Sequence, residues 1–293
     1  MSASTAKAEQ GAADKRLAAM RGEPTALTGP EWLRVSSRAL ALVLALLAFV
    51  PLHYLYRIVR YGSPFPMWFR GTAGWICGAR VQRIGTPLRR GVFFVANHVS
   101  WIDILVLAGA SGTAFVAKQE LSQIPVIGWL CSLNRTVFVK RENRMGVAEQ
   151  VVALREALAD NWSVTVFPEG TTTDNRSLLP FKTSMLSVLE PPPPGVMVQP
   201  VMLDYGAVGE DIGWVGEESG VNNARRVLGR AGTFPVRIHF LEPFSPAEHR
   251  GRKAIGSQAR ARIETALVEA RGSLRDFAHT VPPVRYVPPG SAA

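Results

Sequence analysis

The sequence predicts an α/β domain built on a mixed, largely parallel sheet covered by helices, with an N-terminal membrane anchor of short helices. Three observations predict it. Short β-rich runs alternate with helical periods from Gly85 onward. The first of those runs, Val92–Ala96, is apolar throughout, as a strand buried on both faces must be. An apolar stretch flanked by arginines stands ahead of them all.

Residues 1–30 are rich in Ala, Gly, Lys and Glu without an apolar period, and are expected to be disordered. Residues 31–80 form the expected anchor. Its apolar run, Ala39 to Leu52, lies between Arg34 and Arg38 on one side and Arg57 and Arg60 on the other. That run is shorter than the roughly 20 residues needed to span hydrocarbon. A second apolar segment, Pro64 to Cys77, carries Trp68 and Trp75, and indole rings suit the membrane interface. The expectation is two short helices dipping into one leaflet, with both ends on the cytoplasmic face of a bacterial inner membrane.

Residues 81–276 form the expected catalytic domain. Strands are predicted at Val92–Ala96, Thr136–Val139, Val164–Phe167, Val196–Tyr205 and Val236–Phe240. A helix is predicted from Ser100. Val147, Val151, Leu154 and Leu158 mark one helix face; Ile255, Ala259, Ile263 and Leu267 mark that of a last helix. Residues 277–293 are Pro-rich and expected to be loose.

With 293 residues, 47% of them hydrophobic, the chain can bury one large core. The net charge of +10 attracts polyanions. Its arginines flank an apolar segment and no nucleic-acid-binding signature is present, so membrane lipids are the expected partner and nucleic acid is not. Cys77 and Cys131 are far apart and form neither a disulfide framework nor a metal-ligand spacing, so no metal is expected.

The chemistry centres on Asn97-His98-Val99-Ser100-Trp101-Ile102-Asp103, which follows the first strand. Ser100 and Asp103 have the spacing of a helix capping box. With Ser100 as cap, His98 lies just outside the helix and Asp103 in its first turn, within reach of the ring. A carboxylate beside a histidine fixes its tautomer and stabilises the imidazolium, which makes the ring a general base. No G-x-S-x-G elbow is present, and neither cysteine is near His98 in sequence. The substrate is therefore expected to supply the nucleophile, most simply a hydroxyl attacking an activated acyl group. Glu169, Gly170 and Thr171 follow the strand Val164–Phe167, where α/β folds place ligands. Arg141, beside Lys140 after the strand Thr136–Val139, is a second candidate, because a guanidinium grips phosphate bidentately.

The chain resembles the lysophosphatidate acyltransferase family of membrane glycerolipid acyltransferases. Asn97-His98 with Asp103 is similar to its catalytic block, and Ala117-Lys118-Gln119-Glu120-Leu121 to its lysine-bearing segment. Val137 to Arg141 resembles its second block, Phe167 to Thr171 its third, and Val198 to Val201 its fourth. The resemblance implies that His98 takes the proton of an acceptor hydroxyl and that Asp103 orients it. It implies that Glu169, Gly170, Thr171 and Arg141 hold the acceptor's head group, with Lys118 assisting. The acyl donor would be acyl-CoA or acyl-carrier protein, with no other cofactor. Lysophosphatidate is the leading acceptor. Arg135 and Ser184 stand where many relatives have glycine, and the run Glu169 to Ser184 looks closer to the lyso-ornithine lipid acyltransferase branch. A non-enzymatic lipid-binding protein on the same scaffold would need neither His98 nor Asp103.

Overall fold

The computed structural model describes residues 3–60, 62–123, 128–130, 133, 136–139, 152, 154–156, 158, 163–280 and 282–288. Within them, helices α1 (Ala3–Met20), α2 (Gly29–Val59) and α3 (Phe65–Ile76) lead into strand β1 (Ala79–Ile84) and strand β2 (Val92–Ala96). Helix α4 (Ile102–Ser111) and strands β3 (Ala114–Lys118), β4 (Val137–Val139), β5 (Ser163–Val166) and β6 (Met197–Asp204) follow. Helix α5 (Gly220–Gly229), strand β7 (Phe234–Phe240) and helix α6 (Gly251–Arg271) come last. The strands form one sheet in the order β1-β7-β6-β2-β5-β3-β4. All neighbours run parallel except β6 and β7. The mixed, largely parallel sheet is thus as the alternating pattern predicts.

β2 lies between β5 and β6, and all five of its residues are buried. Side chains alternate across a strand, so its two faces feed two cores. Phe94 and Ala96 join Ile102, Val106 and Leu107 of α4. Phe93 and Val95 join Leu154, Leu158, Ile255, Ala259 and Ile263. The four residues marking the last helix are all buried along α6. Leu154 and Leu158 are helical and buried; Val147 and Val151 lie outside the described residues.

The N-terminal region differs from expectation in two ways. Residues 3–20 are helical rather than disordered. An Ala-rich stretch has high helix propensity, and α1 is tied down by ion pairs Lys15–Glu31 and Arg16–Glu210 with Ala19 buried. Second, α2 is one helix of 31 residues and continues through Pro51. The apolar run underestimates it because polar residues on both sides extend the same helix. Thr28 starts it, donating its N–H to Glu31 Oε2 at 2.7 Å. Arg34 Nε then donates to Gly229 O at 2.7 Å, and Arg38 Nη1 to Leu228 O at 2.7 Å and Arg230 O at 2.9 Å. These arginines meet the carbonyl end of α5, where cations are favourable. The rest of α2 exposes Leu40, Val43, Leu44, Leu47, Leu55 and Ile58. By length and composition α2 can cross a membrane, and α3 beside it exposes Trp68 and Trp75.

α3 crosses α4 closely. A β-carbon on Gly109 would stand 2.6 Å from Gly71 Cα, so only glycine fits this crossing. Among its described residues the tail contains one antiparallel bridge, Phe277 with Val284.

Candidate active site

The site grows from the C-terminal end of β2, where open α/β sheets bind ligands. Asn97 continues the pairing of β2 with β6 through its side chain. Its Nδ2 donates to Leu203 O at 3.0 Å, and its Oδ1 accepts from Leu203 N at 2.7 Å. His98 then turns out of the sheet. Its Nδ1 lies 2.8 Å from Asp103 Oδ2. An ionised carboxylate only accepts, so Nδ1 carries the proton and Nε2 is left with the lone pair. The His98 side chain is 19% exposed while Asp103 is sealed. The ring stacks on Phe167 with centroids 4.0 Å apart and planes within 13°, which prevents it from swinging away from Asp103.

Asp103 does two jobs at once. Oδ2 also accepts from Val99 N at 2.6 Å and Ser100 N at 2.9 Å, the acid half of the expected capping box; the serine half does not form, because the helix cap is Trp101 and makes no side-chain cap hydrogen bond. Oδ1 accepts from the Tyr205 hydroxyl. Burial, aided by the charge of Asp103 and the hydrogen bond to it, pushes that hydroxyl well above the usual phenol range, so it stays a donor.

The main chain around His98 is pinned from other segments. His98 N donates to Glu169 Oε1 at 2.8 Å. His98 O accepts from Thr173 N at 2.8 Å and Thr173 Oγ1 at 3.1 Å. Val99 O accepts from Trp214 N at 3.0 Å. The glutamate turn and the histidine thus share one site, as their order along the chain predicts.

Glu169 serves that site differently from the expectation. It is only 1% exposed, and its other oxygen accepts from Leu179 N at 2.9 Å. Its carboxyl group braces the main chain of His98 and Leu179 from a buried position. Burial pushes this carboxyl up to about 8, against the lowering effect of the Leu179 and His98 hydrogen bonds. Gly170, with φ of +74°, gives the turn its left-handed residue. Lys182 Nζ lies 2.8 Å from where a β-carbon on Gly170 would stand. Thr171 is exposed at the tip. Only the backbone of Lys118 is described, at the end of β3, and Arg141 lies outside the described residues, as do Arg135 and Cys131. Cys77 is buried, and burial pushes its thiol up to about 12, which removes it as a nucleophile.

Sequence reading did not single out Tyr205, Thr173, Asn175, Lys182 or Trp214. The signal for Tyr205 is positional: β6 runs parallel to β2, so its last residues emerge beside His98.

Comparison with known proteins fits this geometry. Residues 80–204 match the family model described as Acyltransferase. The lyso-ornithine lipid O-acyltransferase of Rhizobium meliloti (strain 1021) is 34% identical over 269 residues, covering 86% of this chain and 92% of that protein. The 1-acyl-sn-glycerol-3-phosphate acyltransferase of Neisseria gonorrhoeae is 36% identical over 108 residues, covering 37% of this chain and 42% of that one. The crystal structure of the 1-acyl-sn-glycerophosphate acyltransferase of Thermotoga maritima superposes with a TM-score of 0.57 at 22% identity. That match covers 80% of this chain and 98% of that structure, and it supports the fold.

Proposed function

The chain belongs to the lysophospholipid acyltransferase family, and from that premise we propose that it esterifies the free hydroxyl of a lyso-ornithine lipid with a fatty acyl group drawn from an acyl thioester. The observation that supports the chemistry is the partly exposed His98 ring locked against the sealed, hydrogen-bonded Asp103. Nε2 takes the acceptor's hydroxyl proton as its oxygen attacks the thioester carbonyl. The C–S bond then breaks, and the imidazolium returns its proton to the departing thiolate. No acyl-enzyme and no resident cofactor are needed; the donor is acyl-CoA or acyl-carrier protein. Gly170, Thr171 and Lys182 face the acceptor head group, with Lys118 and Arg141 as further contacts.

The acceptor assignment rests on the extent of similarity to the Rhizobium enzyme, 86% of this chain. Lysophosphatidate is the second reading, favoured by the higher identity, 36%, to the Neisseria enzyme over a shorter stretch. The exposed apolar face of α2 supports membrane association, and we propose the cytoplasmic face of the membrane for the reaction. The test presents the full-length protein in mixed vesicles with acyl-CoA or acyl-carrier protein and each acceptor in turn. Ornithine lipid as the preferred product supports the assignment. Preferred phosphatidic acid replaces it with the second reading, and acylation of neither refutes both.

A further inference from the structure

We infer that Tyr205 is a positioning residue for the catalytic pair, one whose hydroxyl fixes Asp103 and sets the pH range in which His98 accepts a proton. The inference rests on the general-base reading of His98 given above. Three donors, His98 Nδ1 and the N–H groups of Val99 and Ser100, converge on Oδ2 of Asp103. Among the described residues, Tyr205 is the donor on Oδ1. The carboxylate is thus fully satisfied, and it has no freedom to rotate without losing a bond.

The backbone that carries Tyr205 is itself held. Among the described residues Tyr205 has the largest fully buried side chain. Its N–H donates to Asn175 Oδ1 at 2.8 Å, and Asn175 Nδ2 donates to Leu203 O at 3.0 Å. Asn175 reaches both groups from a left-handed backbone, with φ of 63°. A phenol present only to fill space needs no such alignment toward a buried charge.

Electrostatics fixes the direction of the effect. A donor on Oδ1 draws negative charge away from Oδ2 and weakens its hold on the imidazolium. Without the hydroxyl, charge gathers on the oxygen facing His98, and the protonated ring is favoured. The other titratable group at the pair is Glu169, which accepts from the His98 main chain and whose carboxyl burial raises to about 8, with Asp103 also raising it and Arg260 from α6 opposing. Lys182 lies over Gly170. The Tyr205 hydroxyl bonds Asp103, and neither Glu169 nor Lys182 hydrogen-bonds to Tyr205.

The test is the pH–rate profile of acyl transfer by the full-length protein in vesicles. In Tyr205→Phe the acid limb of kcat/KM moves up by about one unit, which is about a tenfold loss at low pH and little loss at high pH. Site-specific 3-fluorotyrosine at position 205, a stronger donor, moves the limb down. Uniform loss across pH with an unmoved limb, or an unmoved limb in the fluorotyrosine protein, overturns the inference. Should Tyr205→Phe not fold, the fluorotyrosine protein decides alone. His98→Ala separates the two readings. If it is inactive while both limbs stay fixed, only the role of Tyr205 fails. If it is active, the general-base reading fails first.

Discussion

The His98 loop and helix α2 are attached to the same domain by opposite means. The loop is held by its own main chain: Glu169, Thr173, Asp103 and Trp214 all bond to backbone groups of residues 98–100. Helix α2 is held by side chains reaching outward, Arg34 and Arg38 to the last carbonyls of α5 and Glu31 to Lys15. The difference teaches where each kind of failure arises. Buried polar groups that orient a reacting ring are lost all at once, because removing one leaves others unpaired. A helix fastened by a few partly buried contacts loses attachment by increments and leaves the chemistry alone.

The sharpest way to break this contrast is Asp103→Asn. The amide cannot accept from all the donors around it and leaves His98 in the wrong tautomer. We expect kcat to fall about 10³- to 10⁴-fold with little change in KM, measured by thiol release from the acyl thioester. Glu169→Gln comes next, with roughly a 10- to 100-fold loss in kcat if bracing the His98 main chain matters for geometry. Its second signature is in stability. The carboxyl rises from its ordinary 4.5 to about 8 in the folded protein, so the folded state binds the extra proton between those values. The stabilising contribution is complete below 4.5, is lost as pH rises toward 8, and stays lost above it. The wild type should therefore lose stability from pH 5 to pH 8 at up to about 1.4 kcal/mol per unit, read as a falling Tm, and Glu169→Gln should flatten that slope.

Gly109→Ala probes the link between the two regions, because α4 carries Asp103 and packs on α3. The added methyl meets Gly71, and overpacking of this kind costs about 1 to 3 kcal/mol. Thermal unfolding should fall accordingly, with a smaller drop in kcat/KM. Arg38→Ala is the mildest case. It removes charged hydrogen bonds to carbonyls worth about 1 to 3 kcal/mol in total, lowering Tm while turnover per membrane-bound molecule stays within about twofold. Equal loss of turnover in Arg38→Ala and Asp103→Asn would erase the contrast.

The sequence made the local half of the site legible and hid the remote half. His98 and Asp103 are five residues apart, so one helix start brings them together, and the capping pattern announces it. The apolar run of β2 and the period of α6 likewise carry their structure on their face. Tyr205 is 102 residues from Asp103, and nothing local to it reports the partner. Glu169 lies in a recognisable turn, yet no pattern shows whether a turn carboxylate faces solvent or the main chain. β1 escaped notice because five of its six residues are exposed, which leaves no apolar alternation to read. The length of α2 was hidden because its arginines look like the end of an apolar run, while in three dimensions they fasten the helix to α5.

The central claim is that the His98 imidazole is the base that activates the acceptor hydroxyl. Its most direct test is acyl transfer by purified His98→Ala in vesicles, with folding checked by thermal unfolding. The account predicts a loss of at least about 10²- to 10⁴-fold in kcat with an unfolding transition close to that of wild type. Transfer at the wild-type rate by the folded variant would contradict it.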